Sequence, residues 1–414
     1  MTDLQKFYEE WNNGQDLLLV HTSGSTGAPK PLWVEKRRML NSARITCDFL
    51  GIKPGDTALL CLPLDYIAGK MMVVRSIERN LSLTSVTPDN HPLHSIIEQC
   101  RQNGTAPESV RITLAAMVPS QVYCSLQDAE ERSMLMQIKH LIIGGGSIPS
   151  DLEQQLQHFP NGVWSTYGMT ETLSHIALRR LNGTESDRWY TPFESVNISI
   201  TTEEERKEER GKSREQRAES EEETGKSRDE RAKSKEQRAE SEERRRGCLI
   251  IHAPQVCSHP LTTNDIAELH DDGRRFRIIG RKDNVICSGG IKIQAEEVEE
   301  TLQQFIPYPI AITRLPDVKF GEIVVLLIGS EREGSGKSKE QSEKRKEERE
   351  KGKEQREKNK EELEEALKNA FSHLHKYAIP KRIIHVESIP QTETGKTDRA
   401  KCLQLALQTA TQDQ

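Results

Sequence analysis

A short segment near the amino terminus combines hydroxyl side chains, glycines and a lysine in a pattern suited to holding phosphate. It reads TSGSTGAPK from Thr22 to Lys30. Glycines let the backbone approach a phosphate closely, and hydroxyl and backbone N–H groups can surround its oxygens. The pattern differs from the P-loop, which requires GxxxxGK[ST]. We expect the phosphate contacts to come from Thr22, Ser23, Gly24, Ser25, Thr26, Gly27 and Lys30.

A second motif places an aromatic ring and a carboxylate four residues apart. It reads YGMTE from Tyr167 to Glu171 and follows the apolar pair Val163 and Trp164. A flat ring suits a nucleotide base, and a carboxylate suits a hard cation that bridges phosphates. By itself the motif also fits an ordinary turn at the end of a strand, so its meaning depends on the rest of the chain.

Three further segments carry charged or glycine-rich patterns. They are TND at residues 263–265, GRKDN leading to SGGIK over residues 280–292, and PQTETGK at residues 390–396. The lysine that ends the last segment would, without the others, be interpreted as a surface residue in a loop. The order of all five segments along the chain is therefore the informative observation.

In this order the segments resemble the signature motifs of the adenylate-forming superfamily, which contains acyl- and aryl-CoA ligases, peptide-synthetase adenylation domains and luciferases. The resemblance implies that Tyr167 stacks on the adenine of ATP, that Asp265 holds both ribose hydroxyls and that Arg281 contacts ribose or phosphate. Glycines after an apolar run would let the adenine ring pass closely. Beyond the phosphate loop, the implied ATP-binding set is Gly144, Gly145, Gly146, Tyr167, Gly168, Asp265 and Arg281.

The same resemblance implies the catalytic and hinge residues. Thr170 would touch the phosphate, Glu171 would hold Mg²⁺, and Lys396 would bridge the attacking carboxylate and the α-phosphate. A pentavalent transition state gathers negative charge, so a mobile cation stabilises it preferentially. Asp283 would be the pivot of a small C-terminal domain. The face presented to the CoA thiol would be formed by Ser288, Gly289, Gly290 and Lys292.

Two positions depart from the superfamily pattern. Asn264 stands where the Thr-Gly-Asp motif has glycine, and asparagine tolerates a left-handed backbone better than most residues, so we expect the turn to survive. The segment Leu62-Pro63-Leu64 continues as Asp65-Tyr66 rather than Phe-His. Tyr66 is therefore the candidate aromatic wall of the acyl pocket.

The implied reaction is acid–CoA ligation through an acyl-adenylate. The stretches Leu62–Ile77, Ser165–Leu181 and Pro260–Leu269 resemble the o-succinylbenzoate–CoA ligases of menaquinone biosynthesis, in a short form. That acid has a second carboxylate, so its pocket should hold a cation or strong hydrogen-bond donors. Strand alternation would put His175, Ala177 and Arg179 on one face. The substrate candidates are Tyr66, His175 and Arg179, with Lys70 and Arg75 as further cations, and the alternative is that the arginines are solvated surface charges.

Short apolar runs alternate with helical patterns over much of the chain, which predicts an α/β architecture. The resemblance implies the adenylate-forming enzyme fold, with a large α/β domain over residues 1–282 and a small, mobile α+β domain over 283–414. The phosphate loop of this superfamily normally lies more than a hundred residues into the chain. Because it begins here at Thr22, the leading part of the large domain is expected to be missing.

Two segments rich in Lys, Glu, Arg, Gln and Ser interrupt strand patterns, over residues 203–246 and 334–360. Neither has enough apolar side chains to offset the entropy of ordering the chain. Long insertions at surface turns cost little stability, so we interpret both as tolerated loop insertions. The alternative is that they are charged arms that bind partners.

Composition excludes several other classes of protein. The chain has 414 residues with a net charge of −6, which argues against nucleic acid as a partner. Eight cysteines without CxxC spacing are typical of free thiols in a reducing compartment. The start of the chain is polar, unlike a signal peptide, and the longest apolar run, Ile323 to Ile328, is too short to span a bilayer. We therefore expect a cytoplasmic enzyme.

The expected partners are ATP, CoA and a small carboxylic acid, with Mg²⁺ as cofactor and no membrane segment. Two rival interpretations remain open at this stage. One is an enzyme that loads a carrier-protein thiol instead of CoA. The other is an inactive scaffold that binds partners through the charged arms, against which the intact Glu171, Asp265 and Lys396 count.

Overall fold

A seven-stranded sheet organises the larger part of the molecule in a computed structural model that describes residues 2–21, 31–146, 148–201, 245–289, 291–330, 362–392 and 396–412. Contacts divide the chain into two units. The larger comprises Met1–Ile278 and also takes in Lys396, and the smaller comprises the other described residues from Ile279 onward. The predicted phosphate loop, Gly290 and most of both charged insertions lie outside the described residues.

The strands and helices alternate through the first half of the chain. The strands are β1 (Leu17–His21), β2 (Pro31–Glu35), β3 (Thr57–Leu60), β4 (Ser82–Ser85), β5 (Leu114–Met117), β6 (His140–Ile143), β7 (Gly162–Gly168), β8 (His175–Arg180), β9 (Thr191–Pro192), β10 (Asn197–Ile200), β11 (Arg246–His252), β12 (Leu261–Leu269), β13 (Phe276–Arg281), β14 (Val285–Ser288), β15 (Ile291–Gln294), β16 (Ile310–Asp317), β17 (Gly321–Gly329) and β18 (Arg382–Val386). The helices are α1 (Asp3–Trp11), α2 (Lys36–Phe49), α3 (Ile67–Arg79), α4 (His94–Gln102), α5 (Pro119–Gln127), α6 (Ala129–Gln137), α7 (Ser150–Leu156), α8 (Ala295–Gln303), α9 (362–372) and α10 (Arg399–Gln412).

The seven-stranded sheet has the order β4-β3-β5-β6-β7-β8-β9. Its first five strands are parallel, and β8 and β9 run antiparallel to their neighbours. Along β3, Ala58 and Leu60 belong to one buried cluster while Leu59 and Cys61 belong to another. Successive side chains of a strand point to opposite faces of the sheet, so the two clusters lie on opposite faces. Helices α2 and α3 pack on one face, and α4 to α7 pack on the other. The predicted α/β architecture is confirmed.

The larger unit also contains a hairpin of β1 and β2 and a four-stranded sheet in the order β10-β11-β12-β13. Helix α1 begins with a capping box between Thr2 and Gln5 and buries Phe7 in the main core cluster. The Nζ of Lys36 donates to the carbonyls of Glu10 and Trp11, both at 2.8 Å. This cation satisfies carbonyls that the end of the helix leaves unpaired.

The smaller unit has a five-stranded sheet, in which β15, β14, β17 and β16 lie side by side and β18 pairs with β17 in parallel. Residues of β17 alternate between two clusters: Val324 and Leu326 pack with α8 and α9, while Val325 and Leu327 pack with α10. The prediction that the C-terminal part of the chain has an α+β fold is thus confirmed. Its predicted boundary at residue 283 stays a prediction, since the division by contacts falls within β13.

The first charged insertion is flanked by paired strands. Strands β10 and β11 are antiparallel, with Ile200 opposite Leu249. Residues 202–244 therefore connect neighbouring strands, where extra length costs little. Arg246, the last residue assigned to this insertion from the sequence, already belongs to β11. Helices in the described residues lack the combination of length and apolar character needed to cross a bilayer.

Candidate active site

Three glycines, Gly144 to Gly146, follow β6 and are called the glycine ledge below. They lie at the carboxyl edge of the parallel strands, the edge at which ligands bind in open α/β sheets. A Cβ on Gly144 would lie 2.4 Å from Thr166 Oγ1, so a side chain cannot be added there without displacing that hydroxyl. Gly145 has a φ of +82°, a backbone conformation that favours glycine. The ledge therefore offers bare backbone next to the end of β7.

Tyr167, at the end of β7, is hydrogen-bonded to Asp265 on β12. Its hydroxyl donates to Asp265 Oδ2 at 2.7 Å, across 98 residues of sequence. The ring packs edge-on against Phe276, with centroids 5.2 Å apart, and lies 5.8 Å from Tyr190. The structure thus brings together the two residues that the sequence assigned to adenine and ribose. Phe276 and Tyr190 were missed, because neither lies in a recognisable motif.

The predicted metal ligand lies on the turn that follows β7. Thr170 is buried and Glu171 is exposed in the short 3₁₀ turn Thr170–Thr172. The Thr172 hydroxyl accepts from the Met169 N–H at 3.0 Å, and a Cβ on Gly168 would lie 2.3 Å from the Ser174 carbonyl oxygen. No three acidic, His or Cys side chains among the described residues converge as a metal site. One exposed carboxylate fits Mg²⁺ when substrate phosphates complete its shell.

Lys396 groups with the larger unit rather than with the residues around it in sequence. Its Cγ lies 4.0 Å from the point where a Cβ on Gly146 would stand. Lys396, the end of the last signature motif, and Gly146 therefore lie close together in the larger unit, although about three-fifths of the chain separates them.

The predicted hinge and CoA-side residues lie in the smaller unit. Arg281 and Asp283 form an ion pair of 3.1 Å near the end of β13. Ser288 is only 2% exposed, so its side chain points away from solvent. Gly289 has a φ of +57°, and a Cβ there would lie 2.8 Å from the Tyr377 ring. Of the predicted CoA-side residues described, Gly289 and Lys292 are exposed.

Asn264 does not adopt the left-handed backbone that asparagine could have supplied in place of glycine. It lies inside β12, and the described non-glycine residues with positive φ are Asn80 and Leu173. Thr263 Oγ1 instead accepts from the Asp265 N–H at 3.1 Å. Strand geometry and this hydrogen bond therefore hold Asp265 without a glycine at position 264.

The candidate acid side lies between α2, α3 and β8. Tyr66 precedes α3 and forms a β-bridge with His21, the residue that leads into the predicted phosphate loop. His175 is buried, with Nε2 3.1 Å from Thr46 Oγ1 and Nδ1 3.3 Å from Ser174 Oγ. Burial, and to a smaller degree the charge of Arg75, hold the pKa of His175 well below its usual value. His175 is therefore a neutral side chain.

The expectation that His175 and Arg179 share one face of β8 is wrong. The pairing of β7 with β8 shifts between Tyr167 and Gly168, and this irregularity breaks the alternation. His175 contacts Thr46 of α2, whereas Arg179 makes a two-pronged ion pair with Glu153 of α7, at 2.8 and 3.1 Å. Helices α2 and α7 cover opposite faces of the sheet. Glu153 therefore neutralises the charge of Arg179 on the face opposite to the one that His175 contacts.

Arg75 on α3 is the cation that lies beside His175. It is 2% exposed, and its guanidinium donates to Ser174 Oγ at 2.6 Å and approaches Met72 Sδ at 3.7 Å. Its Nε has no hydrogen-bond partner among the described residues, and no described carboxylate forms an ion pair with it. Burial lowers the pKa of Arg75 to about 10. A buried guanidinium with so few partners is a candidate for binding an anion.

Comparisons with known proteins agree with this geometry. The family model described as "AMP-binding enzyme" matches residues 4–213. The 2-succinylbenzoate–CoA ligase of Enterococcus faecalis is 24% identical over 412 residues, covering 94% of this chain and 70% of that protein. The Salmonella typhimurium protein of the same name is 27% identical over 293 residues, covering 70% of this chain and 53% of its own length. The chain thus spans only part of these relatives.

Two solved structures show the same fold. An acyl-CoA synthetase (AMP-forming)/AMP-acid ligase II-like protein from Dyadobacter fermentans is 27% identical, with a TM-score of 0.52, and the match covers 96% of this chain and 91% of that one. The o-succinylbenzoate CoA synthetase of Bacillus subtilis, in complex with its acyl-adenylate intermediate, is 19% identical with a TM-score of 0.61. That match covers 93% and 68% of the two chains.

Proposed function

The chain belongs to the AMP-binding enzyme family, and from that membership we propose that it is an AMP-forming acid–CoA ligase acting on o-succinylbenzoate. In the first step the acid's carboxylate attacks the α-phosphate of ATP and pyrophosphate leaves. In the second step the CoA thiol attacks the acyl-adenylate and AMP leaves. The curated relatives are named 2-succinylbenzoate–CoA ligases, and the resemblance stated from the sequence implies that the product would enter menaquinone biosynthesis.

The hydrogen bond between Tyr167 and Asp265 is the observation that supports the nucleotide site. It joins the aromatic ring at the end of β7, proposed for the adenine, to the carboxylate on β12 that is proposed for the ribose. Asp265 can accept from both ribose hydroxyls because a carboxylate offers about four lone-pair sites. The residues are positioned before any ligand arrives, which lowers the entropic cost of binding.

The chemical step would depend on Thr170, Glu171 and Lys396. Glu171 would hold Mg²⁺, which supplies charge neutralisation at the phosphates. Thr170 would position a phosphate oxygen through its hydroxyl. Lys396, next to Gly146, would donate to the oxygens on which negative charge accumulates. We propose that Asp283 is the pivot that later removes Lys396 and that Gly289 and Lys292 face the thiol.

A half-reaction assay tests the role of Lys396. Lys396→Ala should abolish pyrophosphate release yet largely spare thioester formation from supplied acyl-adenylate, because the lysine acts only in the first step. Lys292→Ala, which changes an exposed lysine of the smaller unit on the proposed CoA side, is the matched variant and should show the reverse pattern. Equal loss of both half-reactions in Lys396→Ala would contradict the assigned role.

Arg75 is the observation that favours an acid with a second carboxylate. An isolated charge in a protein interior is costly unless it is paired, and this guanidinium has only Ser174 and Met72 as described partners. A carboxylate of the bound acid would accept from its remaining N–H groups. The relatives named for 2-succinylbenzoate act on an acid of this kind.

A panel of acids tests the substrate. Purified enzyme with ATP and CoA should release pyrophosphate with o-succinylbenzoate and far less with benzoate, which lacks the second carboxylate. Replacing CoA by a carrier-protein thiol tests the alternative that the enzyme loads a carrier protein instead of CoA. Pyrophosphate release with simple benzoates but not with o-succinylbenzoate would contradict the proposed acid and leave the ligase class standing.

A further inference from the structure

A network of hydrogen bonds connects the two helices at the candidate acid side of the larger unit. Within α2, the Thr46 hydroxyl donates to the Ser42 carbonyl at 3.1 Å. The same hydroxyl oxygen lies 3.1 Å from His175 Nε2, and His175 Nδ1 lies 3.3 Å from Ser174 Oγ. Ser174 Oγ also accepts from the guanidinium of Arg75 on α3 at 2.6 Å. The network therefore leads from a helix carbonyl to the cation that is proposed to bind the acid.

The two ends of the network determine which atom donates in each hydrogen bond. Because Thr46 has one hydroxyl hydrogen and donates it to Ser42, it offers His175 only a lone pair. A guanidinium has no acceptor, so Ser174 Oγ offers a lone pair to Arg75, and the positive charge turns the hydroxyl hydrogen away. This hydrogen is then directed to His175 Nδ1. A neutral imidazole that carries its proton on Nε2 satisfies both neighbours.

The other tautomer of His175 leaves hydrogen atoms without acceptors. With the proton on Nδ1, His175 and Arg75 would both donate to Ser174 Oγ, whose own hydrogen has no other described acceptor. Nε2 would then require the hydrogen that Thr46 gives to Ser42. Water does not easily compensate, because Thr46 is fully buried and His175 is 8% exposed. Unpaired polar groups in such surroundings are costly, so the Nε2–H form is favoured.

We propose that His175 is a positioning residue for acid recognition: in its Nε2–H form it holds the Ser174 hydrogen, so that Ser174 serves Arg75 as an acceptor only. The inference rests on the proposed function, in which Arg75 binds the second carboxylate of the acid. A serine without this neighbour can rotate its hydroxyl away from the cation. Here one guanidinium N–H is anchored, and the anchored orientation lowers the entropy lost when the acid binds to the remaining N–H groups.

Nitrogen NMR of the imidazole tests the direction of the hydrogen bonds in the absence of substrate. The chain has 12 histidines, and the pair of ¹⁵N signals that disappears in His175→Gln belongs to His175. We expect a protonated Nε2 and an unprotonated Nδ1 in the wild type at pH 7. Thr46→Val keeps the shape of the side chain but removes the acceptor, so the proton should move to Nδ1. A wild-type His175 that is protonated on Nδ1 would overturn the proposal.

Steady-state kinetics tests the consequence for the acid. Thr46→Val should raise the KM for o-succinylbenzoate about five- to ten-fold with little change in kcat, the effect of one lost hydrogen bond. Thr46→Ser keeps the hydroxyl and should restore a KM near that of the wild type. Ser76→Ala is the matched control, because it removes a buried hydroxyl of α3 that donates to the Met72 carbonyl, and it should leave the KM unchanged.

The order of the two Thr46 variants separates positioning from packing. If Thr46 only filled space, Thr46→Ser would be worse than Thr46→Val, and that order would overturn the proposal. Should Thr46→Val fail to fold, Ser174→Ala removes the anchor of Arg75 directly and should raise the KM to the same extent; an unchanged KM would overturn the proposal. If Arg75→Met affects o-succinylbenzoate and a monocarboxylic acid equally, the proposed acid site fails and the role of His175 falls with it, even where the NMR spectra show the expected tautomer.

Discussion

Arg75 and Arg179 are both largely withdrawn from solvent in the larger unit, but their surroundings differ. Arg179 lies against Glu153 in a two-pronged ion pair and stacks near Tyr190. Arg75 is more deeply buried, yet its described polar contacts are one hydroxyl and one thioether. The charge of Arg179 is neutralised by a carboxylate, whereas no described carboxylate neutralises the charge of Arg75.

The difference supports the proposal that Arg179 is a structural cation and Arg75 a binding cation. A compensated ion pair rigidifies the structure around it, and breaking it leaves the partner uncompensated. An uncompensated buried guanidinium costs stability in the free protein, and that cost is recovered when an anion binds. The comparison therefore predicts opposite outcomes for the two arginines: loss of acid recognition without loss of stability at Arg75, and the reverse at Arg179.

Replacing Arg75 should have the largest effect. Arg75→Met keeps the volume but removes the charge, and kcat/KM for o-succinylbenzoate should fall roughly 100-fold, since truncating one partner of a buried charge pair costs about 2–5 kcal/mol. Steady-state kinetics with o-succinylbenzoate and with a monocarboxylic acid measure the change. The melting temperature should stay the same or rise. A fall of equal size for both acids would break the comparison.

Replacing Arg179 should act on stability instead. Arg179→Met leaves Glu153 without its partner, and the free energy of unfolding in urea should fall by about 1–3 kcal/mol. The double variant Arg179→Met with Glu153→Leu should regain part of that loss because neither charge then remains unpaired. Acid preference should be unchanged in both. A change in acid preference without loss of stability would place Arg179 in the binding site after all.

Lowering the pH should have the smallest effect when it is counted for one histidine and one pH unit. The pKa of His175 lies well below its usual value and that of His140 lies at about 4, so the unfolded chain binds more protons than the folded one below about pH 6.5. The two neutral histidines therefore do not reduce stability above that pH. As the pH drops below it, the free energy of unfolding decreases by at most about 1.4 kcal/mol per pH unit for each histidine.

Urea unfolding between pH 7 and pH 5 measures this slope. His175→Gln should remove the contribution of His175 to this slope. Arg75→Met should reduce that contribution, because the nearby positive charge helps to lower the pKa of His175. Arg179→Met should leave the contribution of His175 as it is, since Arg179 faces α7. An unchanged slope in His175→Gln would show that this histidine is already accessible to protons in the folded state.

Local motifs made the nucleotide side predictable. The apolar residues that precede the three glycines and Tyr167 lie on β6 and β7, so the glycine ledge and the position of Tyr167 could be predicted from the sequence. The acid side was less predictable. The alternation rule failed on β8 because a register shift opposite Tyr167 and Gly168 changes which face each side chain occupies, and nothing in the sequence of β8 shows that shift.

The sequence by itself determined the superfamily, the order of its signatures and the α/β class, because these depend on residue types at short, fixed spacings. Only the tertiary structure decided which cation is compensated. Arg179 meets a carboxylate 26 residues away, and Arg75 meets Ser174, 99 residues away. It also decided that Thr46 meets His175, 129 residues away, since packing sets these neighbours. Charge compensation over such separations depends on packing, and no local pattern encodes it.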